Sequence, residues 1–409
     1  MHILFLTDNF PPEGNAPASR TYEHAKEWIK SGHKVTVITC APNFPEGKVF
    51  KGYKNSWYTK EVITGIEVRR VKTYITSNEG FVKRILDYQS FMFTSFIASF
   101  FVKKIDVIVA TSPQFFTACS GWAVSLFRRR PFVFELRDIW PASITAVGAM
   151  KDSYLIKFLE KIELFLYKRA SMIISVTNSF KNELINRGVD GNKIKVVLNG
   201  VDLSQYEPLG KDQAFVEKYN LKGKFVAGYI GTHGMAHSLE TLVEAAEILK
   251  DNQKVVFLFA GGGAAYENIR VLANAKNLDN VRFLGRVEKQ IMPKIWSLCD
   301  ISIVHLKNTP LFRSVIPSKI FESMGMGLPI LIGQPLGEAT DIIKMTQCGM
   351  VFESESSSEL ASNITKLLNN NKMLNEFKTN SINHSKNYDR KLLAKKMLDI
   401  LMNVSIMNE

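Results

Sequence analysis

At 409 residues, 46% hydrophobic and 22% charged, the chain is too long for one ordinary core and too apolar for disorder, so two globular domains are expected. Cys40, Cys119, Cys299 and Cys348 stand far apart with no C-x-x-C pair, which argues against a disulfide framework or a cysteine zinc site and fits a reducing cytoplasm. The formal charge of +13 is concentrated: residues 1–200 hold 28 Lys/Arg against 17 Asp/Glu, net +11, while residues 201–409 hold 24 against 22, net +2.

Apolar runs of four to eight residues recur, each followed by a stretch of helical periodicity. Strands are predicted at Ile3–Thr7, Val35–Thr39, Val68–Val71, Val107–Ala110, Phe132–Glu135, Met172–Val176 and Ile194–Leu198. Helices are predicted between them near 19–31, 80–101, 115–128, 154–169 and 178–187. A first strand starting at the N-terminal methionine leaves no place for a signal peptide. The most apolar stretch, Phe91 to Val102, is broken by Thr94, Ser95 and Ser99, so no membrane-spanning helix is expected. Aromatics and basic residues interleave from Tyr88 to Arg130, a mixture suited to an anionic membrane surface; no helix-turn-helix or zinc-finger spacing points to nucleic acid.

The pattern restarts in the second half, with strands at 226–230, 255–260, 281–284, 301–304, 330–332 and 349–352 and helices between and after them. Strands that are continuously apolar have both faces covered, as in parallel α/β domains. The expected organisation is therefore two Rossmann-like domains of parallel sheet facing across a deep cleft, residues 1–199 and 200–387, with residues 388–409 forming a helix that packs back on the first domain. The break is placed in Asn199-Gly200-Val201-Asp202.

In such domains ligands bind beyond the carboxyl ends of the strands, where four clusters fall. In Pro317-Ser318-Lys319-Ile320-Phe321-Glu322 a helix start offers backbone amides and Lys319 a charge to a diphosphate. Ser318 is a phosphate contact or a plain N-cap, and Glu322, one turn on, can accept a ribose diol. In Tyr229 to His237, Gly231 and Gly234 permit close backbone approach, while Thr232, His233 and His237 offer donors. The loop has no third ligand for a metal, and the chain has no Asp-x-Asp pair, so metal-independent chemistry is expected. Glu135-Leu136-Arg137-Asp138-Ile139-Trp140-Pro141 follows a strand of the first half; Asp138 can orient an acceptor hydroxyl or steady positive charge on a sugar ring, or pair with Arg137. The loop from Asp8 to Arg20, with Asn15 and Ser19, can line an acceptor side. Arg20 in the first helical turn suits a phosphate or a salt bridge equally. Weaker signals are Gly261-Gly262-Gly263 and Gly285-Arg286-Val287-Glu288, where backbone can read a nucleobase and Arg286 can reach a pyrophosphate.

Phe283-Leu284-Gly285-Arg286, Asn199-Gly200-Val201-Asp202 and the stretch from Pro317 to Pro329 together resemble retaining GT-B glycosyltransferases of family 4 over essentially the whole chain. The opening loop, Arg137 to Pro141 and Gly231 to His237 resemble a bacterial branch typified by O-antigen N-acetylfucosaminyl transferases. The resemblance implies a UDP-sugar donor, UDP-N-acetyl-L-fucosamine or a related N-acetylhexosamine, with no further cofactor. It also implies an undecaprenyl-diphosphate-linked acceptor in O-antigen or capsule synthesis, and a place on the inner face of the cytoplasmic membrane. Of the family's two glutamates eight positions apart, Glu322 matches the second and Ser314 stands at the first, with Arg313 beside it as a substitute contact. The family's diphosphate-gripping Arg and Lys are replaced by the Thr232–His237 region, for which Lys319 compensates, and Asp138 stands where relatives carry a histidine. Two rival readings remain: a UDP-sugar epimerase on the same fold, and a non-catalytic nucleotide-sugar-binding partner. A dinucleotide dehydrogenase is disfavoured, because no G-x-G-x-x-G follows the first strand.

Overall fold

The computed structural model describes residues 1–44, 46–76, 81–112, 115–139 and 154–407. The chain divides into two compact units, Met1–Asn199 together with Arg390–Glu409, and Gly200–Asp389.

The first unit runs β1 (His2–Leu6), α1 (Ala16–Lys30), β2 (Lys34–Cys40), β3 (Tyr58–Ile63), β4 (Ile66–Val71), α2 (Phe81–Ser99), β5 (Val107–Thr111) and α3 (Phe115–Arg128). It continues through β6 (Phe132–Leu136), α4 (Tyr154–Arg169), β7 (Met172–Ser175), α5 (Asn178–Asn186) and β8 (Ile194–Val196). The sheet order is β3-β4-β2-β1-β5-β6-β7-β8, parallel except for β3, which pairs antiparallel with β4. β3 has no counterpart among the expected strands. It is an edge strand whose side chains are half-exposed or exposed, so it lacks the apolar run that marked the others. Its turn, Thr64-Gly65, has both residues at positive φ (51° and 82°), the geometry that lets two strands of right-handed twist reverse tightly.

The second unit runs α6 (Gln213–Lys218), β9 (Phe225–Ile230), α7 (Glu240–Ile248), β10 (Val255–Ala260), α8 (Tyr266–Ala275), β11 (Val281–Gly285), α9 (Met292–Trp296) and β12 (Ile301–His305). It then adds α10 (Lys319–Gly325), β13 (Ile330–Gly333), α11 (Glu338–Thr346), β14 (Gly349–Phe352), α12 (Ser357–Leu368) and α13 (Asn371–Ser385). All six strands are parallel, in the order β11-β10-β9-β12-β13-β14. Each unit is thus a doubly wound, Rossmann-like α/β domain, and the strand order turns over at β1/β5 and at β9/β12.

Helices cover both faces of the first sheet. α2 to α5 share one core with Leu4, Ile108 and Phe134, while α1 and the C-terminal helix α14 (Arg390–Ile406) share another with Phe5, Val37 and Val109. α14 is bound to this unit by Leu393, Met397 and Leu401, all buried, and by the indole Nε1–H of Trp28 donating to Ala394 O at 2.9 Å. The chain end returns to the first unit because α1 leaves an apolar face that only another amphipathic helix can cover.

α1 starts three residues earlier than its periodicity suggests. The Asn15 side chain caps it by accepting from Ala18 N at 2.9 Å, and Pro17 sits in the first turn, where a missing N–H costs nothing. Asn15, expected on the acceptor side, therefore serves as a helix cap, its amide also donating to Asn9.

Candidate functional site

In the second unit the glycine-containing loops after β9 and β10 lock together. Gly231 N donates to Ala260 O (2.8 Å), Gly261 N to Gly285 O (2.8 Å) and His233 N to Gly262 O (3.0 Å). Gly261 has φ +137°, and a Cβ there would lie 1.8 Å from Gly231 O; one on Gly263, at φ +151°, would lie 2.5 Å from His233 O. The weak Gly261–Gly263 signal is therefore the floor on which the Gly231–Gly234 loop rests. Arg286, exposed after β11, lays its side chain over Gly262, where an added Cβ would meet its Cγ at 2.8 Å. Val287 beside it is half-exposed.

Lys319 reaches this loop from α10. Its Nζ lies 3.7 Å from the ring centroid of Tyr229 and against Gly231. The residue is 8% exposed, and Nζ has no hydrogen-bond partner among the described residues. Burial pulls its ammonium down from the ordinary lysine value to about 7, opposed only by the Glu322 carboxylate. An isolated buried ammonium is costly, and an anion placed against it would offset that cost. Glu322 is half-exposed and Ser323 Oγ donates back to Lys319 O, fixing the helix from which both groups project.

Three expectations for this region change. Ser318 is already helical (φ −60°, ψ −26°) and makes no side-chain capping bond. The amides of Ile320 and Phe321 donate to Pro317 O and Ser318 O, so those two of the helix-start amides are engaged within the helix, and the Lys319 side chain adds positive charge beside them. The Nδ1 donors of the two histidines are engaged as well. His233 Nδ1 faces Gly231 O at 3.1 Å and His237 Nδ1 faces His305 O at 3.2 Å. A carbonyl only accepts, so each Nδ1 carries the proton and each Nε2 is left as an acceptor. Burial, then Lys319 for His237, pushes the two rings down to about 4 and about 3, so both are neutral at physiological pH. Thr232 is exposed beside them. Arg313 is exposed in a 3₁₀ turn, Pro310–Ser314, and Ser314 Oγ donates within that turn to Leu311 O (3.2 Å).

In the first unit the acid–base–acid stretch sits at the end of β6. Glu135 is buried and pairs with Arg20 Nε at 2.9 Å. The remaining Arg20 nitrogens donate to Val197 O (2.9 Å), Leu198 O (2.7 Å) and Asn199 Oδ1 (3.1 Å). Arg20 is thus an internal clamp on the chain leaving this unit, and the acceptor-phosphate role expected for it is corrected: its guanidinium is already engaged. Ser19 is buried next to it. Arg137 differs. Its Nη1 is buried with no hydrogen-bond partner among the described residues, and burial pulls its guanidinium down to about 10, with Glu135 opposing and Arg20 and Arg390 adding to the drop. Ser112 Oγ accepts from the Arg137 and Asp138 amides (2.8 and 3.2 Å) and donates to Asp138 O (3.3 Å), which fixes the backbone from which both side chains leave. Trp140 and Pro141 lie outside the described residues.

Among the described residues no three His, Cys, Asp or Glu side chains are grouped to hold a metal ion, and no helix is long and apolar enough to cross a membrane. The two units match two sequence profiles in turn, Glycosyltransferase Family 4 over residues 18–205 and Glycosyl transferases group 1 over residues 211–384. The chain is a GT-B glycosyltransferase related to the family 4 and group 1 enzymes. It is 23% identical over 336 residues (80% of this chain, 82% of the relative) to an Escherichia coli protein named provisionally as the colanic acid biosynthesis glycosyl transferase WcaI. It is also 23% identical, over 57% of this chain and 61% of the relative, to the Campylobacter jejuni N,N'-diacetylbacillosaminyl-diphospho-undecaprenol alpha-1,3-N-acetylgalactosaminyltransferase. In fold it matches Anabaena HepE, described in complex with UDP, at a TM-score of 0.71 and 16% identity over 98% of this chain and 100% of that one.

Two residues of this glycosyltransferase escaped the sequence reading, His305 and Asp87. His305 at the end of β12 accepts Glu355 N at Nε2 (3.0 Å) and donates from Nδ1 to His237 O (2.7 Å), stitching the loop after β9 to β12. A histidine closing an apolar strand was its only signal. Glu13 is buried, takes the amides of Asn43 and Phe44 (2.8 and 2.9 Å), and is pushed up to about 7 by burial. Asp87 is pushed up to about 8 by burial and by Asp8. The loop packing gives a direct test. Gly261→Ala is expected to destabilise the second unit by more than about 3 kcal/mol, because its Cβ would meet backbone in a left-handed region. Gly262→Ala, which meets only the movable Arg286 side chain, should cost about 1 kcal/mol or less, and thermal unfolding of the pair separates the two.

Proposed function

We propose that this glycosyltransferase moves an N-acetylhexosamine, in the terms of its family resemblance N-acetyl-L-fucosamine, from its UDP conjugate to a polyprenyl-diphosphate-linked sugar. The transfer takes place at the inner face of the cytoplasmic membrane, in O-antigen or capsule synthesis, without a metal. The observation that carries the donor half is the buried Lys319 ammonium with no hydrogen-bond partner, at the ends of β9 and β12 beside Gly231 and near Arg286 over Gly262. Two relatives support the chemistry: HepE is described with UDP, and the Campylobacter enzyme is named for an undecaprenol-linked acceptor.

In this reading the diphosphate lies against Lys319, with Arg286 and Arg313 at its edge, Ser318 near the helix start and the ribose on Glu322. The bond from the anomeric carbon to the phosphate oxygen breaks as the acceptor oxygen bonds to the same face. The hydroxyl proton passes to the departing phosphate oxygen, UDP leaves, and configuration is retained. Arg137 and Asp138 hold the acceptor in the first unit.

The test is calorimetric binding of UDP, GDP, ADP and NAD, in chelator, to wild type and Glu322→Ala. UDP alone is expected to bind well, and Glu322→Ala to weaken it by about 10- to 100-fold through loss of hydrogen bonds to a charged acceptor. No UDP binding, or binding indifferent to Glu322, would overturn the donor assignment.

A further inference from the structure

The α2–α3–α4 layer of the first unit has an outward face unlike the rest of the molecule. Every exposed charged side chain described between residues 81 and 170 is a lysine or arginine, among them Lys103, Lys104, Arg129, Lys157, Lys161 and Arg169; the acids of that span are buried or half-buried. Within this basic field apolar side chains stand out into solvent. Phe93 and Ile97 on α2 and Phe100 just past its end follow at i, i+4 and i+7, 62, 59 and 45% exposed, and Phe127 at the end of α3 is 68% exposed. Their inward neighbours Phe91, Ser95 and Ala98 are buried, so the stripe is a true outer face of the helix.

The stripe is held rigidly. Phe127 packs edge-on against Phe96 and Phe100, with centroids 5.5 and 5.9 Å apart. Arg128 lies 5.3 Å over the Phe100 ring and donates to the carbonyls of Ser99, Phe100 and Val102 (3.1, 2.7 and 3.1 Å), joining the ends of α2 and α3. A second ridge on α4 carries Phe158, 58% exposed, and Phe165, which packs on Trp122 of α3 at 5.0 Å under the Arg169 guanidinium.

We propose that this face docks on an anionic lipid bilayer, with Phe93, Ile97, Phe100 and Phe127 entering the headgroup–acyl boundary and the surrounding lysines and arginines meeting phosphate headgroups. Charge complementarity selects that occupant. A second copy would bring like charge against like charge, and a nucleic-acid backbone would leave Ile97 and Leu126 with nothing apolar to bury against. The inference rests on the membrane location in the proposed function and deepens it by assigning a particular face to the membrane; it depends on neither the donor nor the acceptor.

The experiment is vesicle co-sedimentation of the full chain with phosphatidylglycerol-containing and pure phosphatidylcholine vesicles, at low and high salt. Binding to the anionic vesicles only, weakened by salt, is expected. Phe93→Ser/Phe127→Ser and, separately, Lys103→Glu/Lys104→Glu/Arg129→Glu should each lower partitioning at least about tenfold. Ile248→Ser/Met345→Ser, exposed apolar positions of the second unit, should leave it unchanged. Light scattering and UDP calorimetry on the same variants check that they fold and keep the donor site. Equal binding to both vesicle types, or variants that bind like wild type, would overturn the proposal. So would a lipid-free dimer that Phe93→Ser/Phe127→Ser makes monomeric, which would identify the face as a contact between copies.

Discussion

Lys319→Met is expected to raise the thermal stability of the ligand-free protein while lowering sugar transfer by roughly 10²–10³-fold. The two effects have one cause. Nζ is buried over Tyr229 with no hydrogen-bond partner, so the folded protein carries a charge that water would solvate better. Methionine has similar length and no charge. Removing the burial penalty, less the attraction of the Tyr229 ring, should stabilise the second unit by about 1–3 kcal/mol, roughly 2–10 °C for a unit of this size. The pH dependence identifies the source. Below about pH 7 the amine is charged in both folded and unfolded protein, and the penalty is fully felt. From about 7 up to the ordinary lysine value the folded form has lost its proton and the unfolded form has kept it, so wild-type stability rises with pH across that window. The advantage of Lys319→Met is therefore largest near pH 6 and shrinks toward pH 10. Scanning calorimetry at several pH values, set beside UDP affinity, checks it. A variant that melts lower and still binds UDP like wild type would make Lys319 a structural residue.

The doubly wound fold was legible because parallel strands with both faces covered read as unbroken apolar runs, as Phe257–Ala260 and Val107–Ala110 do. β3 was not, since a solvated edge strand has no such run. The site divides in the same way. Glycines after strands, and Lys319 at the start of a predicted helix, are local signals, and the structure brings Gly231, Gly261 and Lys319 together. Which donors remain open to a ligand is not local. The imidazole of His237 faces a carbonyl supplied by residue 305, and Arg20 is met by a carboxylate 115 positions away. Periodicity reports the side on which a residue sits, and says nothing of a partner delivered by another strand.

Arg20→Met should destabilise the first unit by about 3–5 kcal/mol, the usual effect of stripping one partner from a buried ion pair. Arg20 is 4% and Glu135 1% exposed, and the substitution also strands the carbonyls of Val197 and Leu198, which the guanidinium now caps. For a unit of about 200 residues the melting temperature should fall by about 10 °C. The direction with pH follows from Glu135. Burial raises its carboxyl, but Arg20 and then Arg137 outweigh that and hold it below the ordinary value. Stability from a depressed carboxylate is present above its unfolded pKa and is lost as pH falls through the folded one, so the damage of Arg20→Met should be greatest near neutrality and fade in acid. Adding Glu135→Gln should restore part of the loss at neutral pH, because the stranded charge is then gone, while the uncapped carbonyls keep recovery incomplete. A residue whose task was to bind the acceptor would behave otherwise: Arg20→Met would melt like wild type and raise the acceptor KM. Melting curves of the single and double variants decide between a clamp on the departing chain and a substrate contact, because only the clamp ties the effect to Glu135.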